Sequence, residues 1–406
     1  MSKDSNSANS WRENLAILWF GTFMTGIGFS EVMPFLSLYV DTLGHFTHAQ
    51  LSLYSGLAFS ATYLVSAVVS PLWGQLADRT GRKAMLLRAS LGMAFVFASM
   101  GLVTNVWQLI IARLIQGVFS GYISNANALI ATQVPKQKSG QALGTLTTGI
   151  VSGTLLGPLL GGTLASVFTY RVTFFITGAI LLLVFILTLF FIHEDFTPVK
   201  KAEMLDTKGV IADLKAPKLV FGMFITTMII QASNNSISPI LSLYVRQIMH
   251  NSAQATFFSG VVASIPGIST LIAAPRLGKL GDRIGAEKVL MAGFCLAVVI
   301  YIPMAFVTNV WQLIALRFIM GIGNAAMLPS VQSLLAKNTP PEVTGRIFSW
   351  NQSFQSMGNV IGPLIGSMVS TQFGYSGVFI STSLLVILNL VLVTGETREL
   401  RKSTRS

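Results

Sequence analysis

Residues 103–117 read VTNVWQLIIARLIQG, and residues 307–321 repeat them as VTNVWQLIALRFIMG, a shift of 204 positions. The same shift maps GQLADRTG at 74–81 onto GKLGDRIG at 278–285. The chain is therefore a tandem duplication with a period of half its length. In a strongly apolar chain, such a duplication is typical of a two-halved membrane transporter.

The composition is that of an integral membrane protein. Hydrophobic residues make up 52% of the chain and charged residues 10%, whereas about a quarter of the residues in a soluble domain are charged. Long apolar blocks also argue against a barrel, which shows short alternating segments. We predict an all-α membrane protein with twelve transmembrane helices in two pseudo-symmetric six-helix bundles. Apolar runs long enough to span a bilayer lie at about 15–40, 50–76, 84–103, 107–132, 139–166, 171–192, 218–245, 254–275, 287–307, 311–335, 343–370 and 373–394.

Domain boundaries follow from these spans. We predict a cytoplasmic N-terminus at 1–14, an N-terminal bundle at 15–193, a cytoplasmic linker at 194–217, a C-terminal bundle at 218–395 and a cytoplasmic tail at 396–406. The single cysteine excludes an internal disulfide, and no metal cluster is visible. No phosphate-binding loop is present either. We therefore expect no cofactor, and transport that is passive or driven by a gradient unless a separate chain supplies an ATPase.

A net charge of +12 is common in nucleic-acid-binding proteins, but the positions of the basic residues along this chain indicate a different cause. Most of the 27 lysines and arginines lie in the termini and in even-numbered connections between spans. Odd-numbered connections hold only Arg171 and Arg246. This is the positive-inside pattern, which predicts that both termini are cytoplasmic. We expect the lipid bilayer, and no nucleic acid, as a partner.

Two charged residues inside spans are candidates for proton coupling. Among the 15 acidic residues, only Glu31 lies well inside a span, and burial favours the protonated form of a carboxylate near neutral pH. Arg113 lies within the fourth span, where a charge marks function by default; an arginine that reaches the outer interface is the alternative. The two lie roughly 13 Å and roughly 9 Å below the outer ends of their helices.

These depths let the two side chains meet. We predict that Arg113 pairs with ionised Glu31, and that a proton or a cationic substrate at Glu31 breaks the pair. The second half keeps the arginine as Arg317 but has Ser236 where Glu31 maps. Proton chemistry is therefore expected in the first half alone.

The loop between spans two and three carries a family signature. Residues 74–83, GQLADRTGRK, resemble the loop motif of the major facilitator superfamily (GxLaDrxGrk); an ordinary basic turn is the alternative. The resemblance implies two six-helix bundles around a cavity that opens alternately to each side, with Asp78 helping to close the cytoplasmic side. Gly74, Arg79, Gly81 and Arg82 frame that aspartate. The second copy keeps Asp282 and Arg283 but has Ala286 and Glu287 in place of Arg82 and Lys83.

The fifth span is rich in glycine at four-residue spacing, which is typical of a close helix-packing seam. Its sequence GTLLGPLLGG also resembles the fifth-helix signature of antiporters in this superfamily (GxxxGPxxGG), which implies exchange rather than symport. Similarly, Arg113 resembles the arginine of the fourth-helix signature (RxxqG), which the family links to proton transfer. The seam residues are Gly149, Gly153, Gly157, Pro158, Gly161 and Gly162, with a weaker echo at Gly358, Gly362, Pro363 and Gly366.

Polar and aromatic residues in spans seven, ten and eleven are candidates for substrate contact. Amides beside aromatic rings suit an amphipathic organic substrate in a wet cavity. Hydrogen bonding between helices is an equally good explanation for any one of them. The candidates are Gln231, Asn234, Asn235, Asn324, Trp350 and Phe354.

Over about residues 12–395 the chain resembles bacterial multidrug efflux proteins of the drug:proton antiporter family, notably in PFLSLYV, NALIATQVP, GTLLGP and APRLGKLGDRIG. The resemblance implies a monomeric efflux transporter of the bacterial inner membrane that exchanges protons for amphipathic drugs, cationic ones included. Some members of the subgroup are apolar at the position of Glu31, so this residue can instead tune cation preference. Alternatives are an efflux antiporter for one metabolite, such as a sugar or amino-acid derivative, an uptake symporter, and a sensor. An enzyme lacks support, because the histidines form no catalytic set.

Overall fold

The computed structural model describes residues 3–134, 138–194, 217–339 and 344–403, and these residues form helices without any strand. Eight helices lie before the linker. They are α1 (Lys3–Ser30), α2 (Leu36–Thr42), α3 (His48–Thr80), α4 (Arg82–Leu102), α5 (Val106–Val118), α6 (Tyr122–Gln133), α7 (Ser139–Val167) and α8 (Tyr170–Phe191).

Six helices follow the linker. They are α9 (Pro217–Ser236), α10 (Ser238–Ile248), α11 (Ala255–Ile284), α12 (Ala286–Met304), α13 (Val310–Lys337) and α14 (Thr344–Ser403). Within the described residues, nine helices are long and apolar enough to cross a membrane. One of these stretches, Trp350–Gly395, holds both of the last two predicted spans, which are separated where Gly374 adopts a φ of 69°.

The first and seventh predicted spans are each divided into two helices, and a proline accounts for each break. Pro34 lies in the turn at residues 31–35 that separates α1 from α2, and proline has no N–H group to continue the helix. Its repeat equivalent, Pro239, lies in the first turn of α10, where a proline is readily tolerated. Both halves therefore carry the same interrupted segment.

The fourth predicted span is divided as well, between α5 and α6. Gly121 adopts a φ of 108°, which a residue with a side chain rarely adopts. The carbonyl groups left without helical partners are bound by other helices: Arg88 donates to Ser120 O at 2.7 Å, and Trp73 Nε1 to Val118 O at 2.8 Å. In the second half Ala325 replaces Gly121, and α13 is continuous there.

The contacts divide the chain into two compact units. One contains Met1–Gly44 and Leu64–Ala202, and the other contains His45–Tyr63 and Glu203–Ser406. The predicted domain boundaries follow the order of the chain and stay a prediction. The grouping differs from them for one segment, His45–Tyr63, because this part of α3 packs on α14.

Small residues allow that packing. The Ser52 hydroxyl lies 3.0 Å from the Ser370 hydroxyl, and the Ser60 hydroxyl donates to Val360 O at 2.8 Å. Between these serines, Gly56 faces α14 so closely that a Cβ atom there would lie 2.8 Å from Pro363 O. The three positions on α3 form a continuous close contact with α14.

Replacing Gly56 by alanine is expected to destabilise the protein by about 1–3 kcal/mol, because the added methyl group would overlap the Ser367 side chain and also lie 2.8 Å from the backbone oxygen of Pro363. Gly144→Ala is the matched control, since a methyl group added at Gly144 would have no described neighbour within 4 Å. Thermal unfolding of the two purified variants checks this. Equal melting temperatures for both would contradict the packing described for α3.

Candidate functional site

Glu31 occupies the point where α1 ends. It is the first residue of the turn at 31–35, and its side chain is 2% exposed. Its carboxylate accepts a short hydrogen bond from the hydroxyl of Thr177 on α8. That hydroxyl oxygen also lies 3.0 Å from Thr173 O, so the Thr177 hydroxyl can donate its single hydrogen either to the Glu31 carboxylate or to Thr173 O. The carboxylate therefore has a polar partner inside an apolar segment, as a buried polar group requires.

The second half contains the same helix-to-helix contact without the carboxylate. Ser236 replaces Glu31, and its hydroxyl lies 2.8 Å from the hydroxyl of Thr382. Thr382 is the repeat equivalent of Thr177, and the two partners are 146 residues apart in both halves. The contact is thus a structural feature of the duplicated fold, to which the first half adds a group that can bind a proton.

Arg113 is also buried, with 5% of its surface exposed. Its Nη1 atom donates to Gln116 Oε1 at 2.6 Å, one turn along α5. The hydrogen-bond partner of Glu31 is Thr177 on α8. The described contacts therefore differ from the predicted ion pair, because the turn after α1 directs the carboxylate towards α8. The proposed roles of both residues in proton coupling stay predictions.

The glycines of α7 form a close contact with α1 that leads to Glu31. A Cβ atom at Gly149 would lie 2.8 Å from Trp19 O, and Cβ atoms at Gly153 and Gly161 would overlap the carbonyl oxygens of Phe23 and Glu31. Gly157 faces Ser30 in the same way, while Pro158 and Gly162 are buried in the same stretch of helix. The predicted packing seam is therefore present, and it ends on the backbone of the intramembrane carboxylate.

The second half repeats this seam between α14 and α9. Gly358, Gly362 and Gly366 lie against backbone atoms of Met228, Ala232 and Ser236. Gly366 is the equivalent of Gly161, and a Cβ atom there would overlap Ser236 O. Close packing by itself is therefore common to both halves, whatever the transport role of the first copy.

Most of the predicted gating loop is helical: residues 74–80 end α3, and Gly81 alone makes the turn into α4. Gly81 adopts a φ of 93°, which favours glycine, while Arg79 is exposed and Gly74 has no close neighbour among the described residues. The side chain of Asp78 lies outside the described residues. Two basic residues, Arg82 and Lys83, begin α4, although the start of a helix favours negative charge.

Glu194, just after α8, supplies that negative charge. Its carboxylate accepts hydrogen bonds from the backbone N–H groups of Arg82 at 2.8 Å and Lys83 at 2.7 Å. The basic first turn is a sequence signal for such an acid, but it does not identify which of the distant acids fills the role. In the second copy, Glu287 lies in the first turn of α12 itself, so a local acid stands where the first copy uses a distant one.

A buried asparagine holds the residue before Glu194. Asn14, on α1, is 1% exposed, and its Nδ2 atom donates to His193 O at 2.7 Å and to Gln133 Oε1 at 2.8 Å. The N–H group of His193 donates back to Asn14 Oδ1 at 3.1 Å. The end of α8 is thereby attached to α1 and α6, which places Glu194 at the start of α4.

In the second copy of the loop, Asp282 and Arg283 are exposed, and Gly285 makes the turn with a φ of 101°. Asp282 borders a small cleft whose other walls include Gly278, Ala325 and Ser330. The loop backbone is therefore built like the first copy, while its charges differ.

The candidate substrate residues divide into two groups. Some hydrogen-bond to other helices: Asn235 donates to Asn359 Oδ1 at 3.0 Å, and Tyr301 donates to Asn234 Oδ1 at 3.3 Å. Asn235 also donates to Gln231 O, one turn back on its own helix, at 3.0 Å. The other residues are half-buried, and among them Phe354 stacks on Phe224 with ring centroids 5.3 Å apart. The other two are Trp350 and Asn324.

The Oδ1 atom of Asn324 is a buried acceptor without a hydrogen-bond partner among the described residues. A buried acceptor of this kind is costly unless something donates to it. It is therefore the candidate amide best suited to accept a hydrogen bond from a substrate, and the substrate role of the whole set stays a prediction.

Comparisons with known proteins agree on one family. The sequence profile of the Major Facilitator Superfamily matches residues 18–259 and 223–406. "Multidrug resistance protein MdtG" of Enterobacter lignolyticus (strain SCF1) is 55% identical over 387 residues, which cover 95% of this chain and 93% of the relative. The protein of the same name from Proteus mirabilis (strain HI4320) is 54% identical, with 94% of this chain and 95% of the relative covered.

Solved structures with the same fold include transporters. A bacterial homologue of the human lysosomal transporter Spinster, in an inward-facing and unoccupied conformation, matches with a TM-score of 0.80 at 15% identity, covering 97% of this chain and 98% of that one. The nucleoside transporter NupG matches with a TM-score of 0.77 at 14% identity, covering 95% and 99%. At these identities the structures bear on the fold alone.

Removal of the Glu194 carboxylate is expected to loosen the first turn of α4, because two N–H groups lose their acceptor. For Glu194→Ala we expect a loss of about 0.5–2 kcal/mol, as for other helix caps. Hydrogen exchange at residues 82–86 measures the local effect. Glu287→Ala is the control, since it removes an acid from the second copy only; unchanged exchange in Glu194→Ala would contradict the cap.

Replacing Gly161 by alanine is expected to move α7 away from Glu31, and Gly366→Ala should move α14 away from Ser236 by the same overlap. Both variants should lower the melting temperature by similar amounts. Only Gly161→Ala should also shift the pH dependence of transport, because Gly161 packs on Glu31, which can bind a proton, whereas Gly366 packs on Ser236, which cannot. Identical pH profiles for the two variants would contradict a special role of the first seam.

Proposed function

This chain belongs to the major facilitator superfamily, and from that premise we propose that it is a secondary active efflux transporter that exchanges protons for amphipathic drugs by alternating access. Membership confirms the predicted fold of twelve transmembrane helices in two six-helix bundles, and a multi-pass transporter rather than an enzyme. It also agrees with the predicted resemblance to multidrug efflux proteins, here of the MdtG type. The names of these relatives support drugs as the cargo.

The observation that carries the proposal is the hydrogen bond between Glu31 and Thr177. When Glu31 is ionised, the Thr177 hydroxyl donates to it. When Glu31 is protonated, its own O–H donates to the Thr177 oxygen, and the Thr177 hydroxyl turns to Thr173 O, which lies 3.0 Å away. Because polar partners exist in both states, neither protonation nor release leaves a buried group unsatisfied.

Coupling requires that a drug and a proton favour different states of Glu31. A cationic drug binds better when Glu31 is ionised, so its binding displaces the proton; a proton returning from outside favours drug release. We propose that Arg113 takes part by pairing with ionised Glu31 in another step of the cycle. In the present arrangement its Nη1 atom binds Gln116.

The proposed cargo is amphipathic because the candidate substrate residues combine amides with aromatic rings. Asn324 offers a buried acceptor, and Phe354 extends an aromatic surface shared with Phe224. The second candidate function is an efflux antiporter for one metabolite, such as a sugar or amino-acid derivative. Several ordered amide contacts, such as that between Asn235 and Asn359, would suit a single polar cargo.

We propose that the protein works as a single chain in the bacterial cytoplasmic (inner) membrane, with both termini in the cytoplasm. The distribution of lysine and arginine supports this orientation. The proton gradient then drives cargo from the cytoplasm outwards. The partners of the cycle are the small-molecule cargo, protons and the surrounding lipid, with no nucleic acid.

Drug-induced proton release from acid-loaded inside-out vesicles tests the proposal. Wild-type protein should release protons on addition of several unrelated lipophilic cations. Glu31→Gln should lose this release and bind the cation more weakly, because the amide keeps a hydrogen bond to Thr177 but carries neither a titratable proton nor a negative charge. Ser236→Ala is the matched control in the second half and should release protons like the wild type.

Undiminished release by Glu31→Gln would overturn Glu31 as the proton site. The cargo is tested separately in the same vesicles by competition among unrelated dyes and drugs. Mutual competition supports a multidrug exporter. A response to one metabolite, with none to any drug, would favour the second candidate function.

A further inference from the structure

We propose that the cleft between the starts of α1 and α7 binds the headgroup of an anionic phospholipid. The cleft has a volume of about 180 Å³ and lies within one compact unit. It is separate from Glu31 and from the gating loop, and it goes beyond the proposed transport function, which requires no lipid site. Its walls are formed by Trp11, Arg12, Leu15, Lys138, Ala142 and Thr145.

The charge of the cleft suits a phosphate group. Arg12 lies on α1 and Lys138 directly precedes α7, and both are exposed residues that line the cleft. Glu13, next to Arg12, is exposed but is not part of the lining. A guanidinium and an ammonium group are the two side-chain cations that bind phosphate oxygens in proteins.

The depth of the cleft suits a lipid rather than a soluble anion. Lys138 directly precedes α7, a helix long and apolar enough to span a membrane. The cleft therefore lies at the boundary between the apolar helix and the polar end of the protein. Trp11 borders it, and tryptophan is enriched at this level of a membrane. Basic residues at this depth attract anionic lipid headgroups.

An apolar floor distinguishes the cleft from a simple patch of surface charge. Trp11 and Leu15 pack against the buried core of their unit, and the Arg12 guanidinium lies 5.4 Å from the centroid of the Trp11 ring. Further along α7, Leu156 and Leu160 are exposed. These side chains offer an apolar surface for acyl chains whose headgroup occupies the cleft.

Native mass spectrometry of the purified full chain tests the site, with phosphatidylglycerol and phosphatidylcholine of identical acyl chains as probes. Phosphatidylglycerol should bind more tightly. The double variant Arg12→Gln/Lys138→Gln should weaken it roughly 10- to 30-fold, as expected for two basic groups near an anionic lipid. The control Lys288→Gln/Lys337→Gln removes the same charge from exposed positions outside the cleft and should change binding less than about twofold.

A second variant, Thr145→Phe, fills the cleft without changing its charge and should also weaken phosphatidylglycerol, which keeps the test valid if the double variant does not fold. Equal binding of the two lipids would overturn the proposal, as would equal losses in the two double variants. Inorganic phosphate is tested alone in the same assay. Binding of phosphate as tight as that of phosphatidylglycerol would identify a free-anion site instead and overturn the lipid assignment.

Discussion

The hydrogen bond from Thr177 to Glu31 joins α8 to α1 at the residue where α1 ends. A carboxylate within a membrane-spanning segment loses its water, so the protein must supply polar partners in its place. Here the partner is a hydroxyl that can donate or accept, with Thr173 O as its second acceptor. The seam of glycines on α7 brings a further helix against the backbone of the same residue. Glu31 thus contacts two further helices of its unit, α8 through its carboxyl group and α7 through its backbone.

The duplication shows which parts of this arrangement belong to the fold and which are additions. Both halves have the glycine seam, the proline-interrupted first helix and the hydroxyl partner, Thr177 or Thr382. The first half alone has Glu31, where the second has Ser236. The first half also bends at Gly121, where Arg88 donates to the freed carbonyl groups. In the second half Ala325 replaces Gly121, Ala292 replaces Arg88, and α13 is continuous. The additions are polar groups placed where the plain fold would hold apolar or small ones.

Much of this could be predicted from the sequence, because the relevant signals are local or repeated. Length and apolarity indicated the spans, the shift between halves indicated the duplication, and the four-residue spacing of glycines indicated the seam on α7. The partners of charged groups could not be predicted, because they depend on which distant residues packing brings together. Glu194 looked like one more acid at the end of a span, yet it binds the start of α4 from across the unit. The expected pair of Glu31 and Arg113 rested on opposite charges at similar depths, and neither specifies the direction in which a side chain points.

The most direct test of the central claim is an infrared difference spectrum of the purified protein, recorded on addition of a lipophilic cation. The account predicts that the band of a protonated carboxyl group disappears when the cation binds, because Glu31 gives up its proton. The same band should be absent from the difference spectrum of Glu31→Gln. A spectrum of the wild type in which the cation binds and no carboxyl band changes would contradict the account, since drug and proton would then not compete at Glu31.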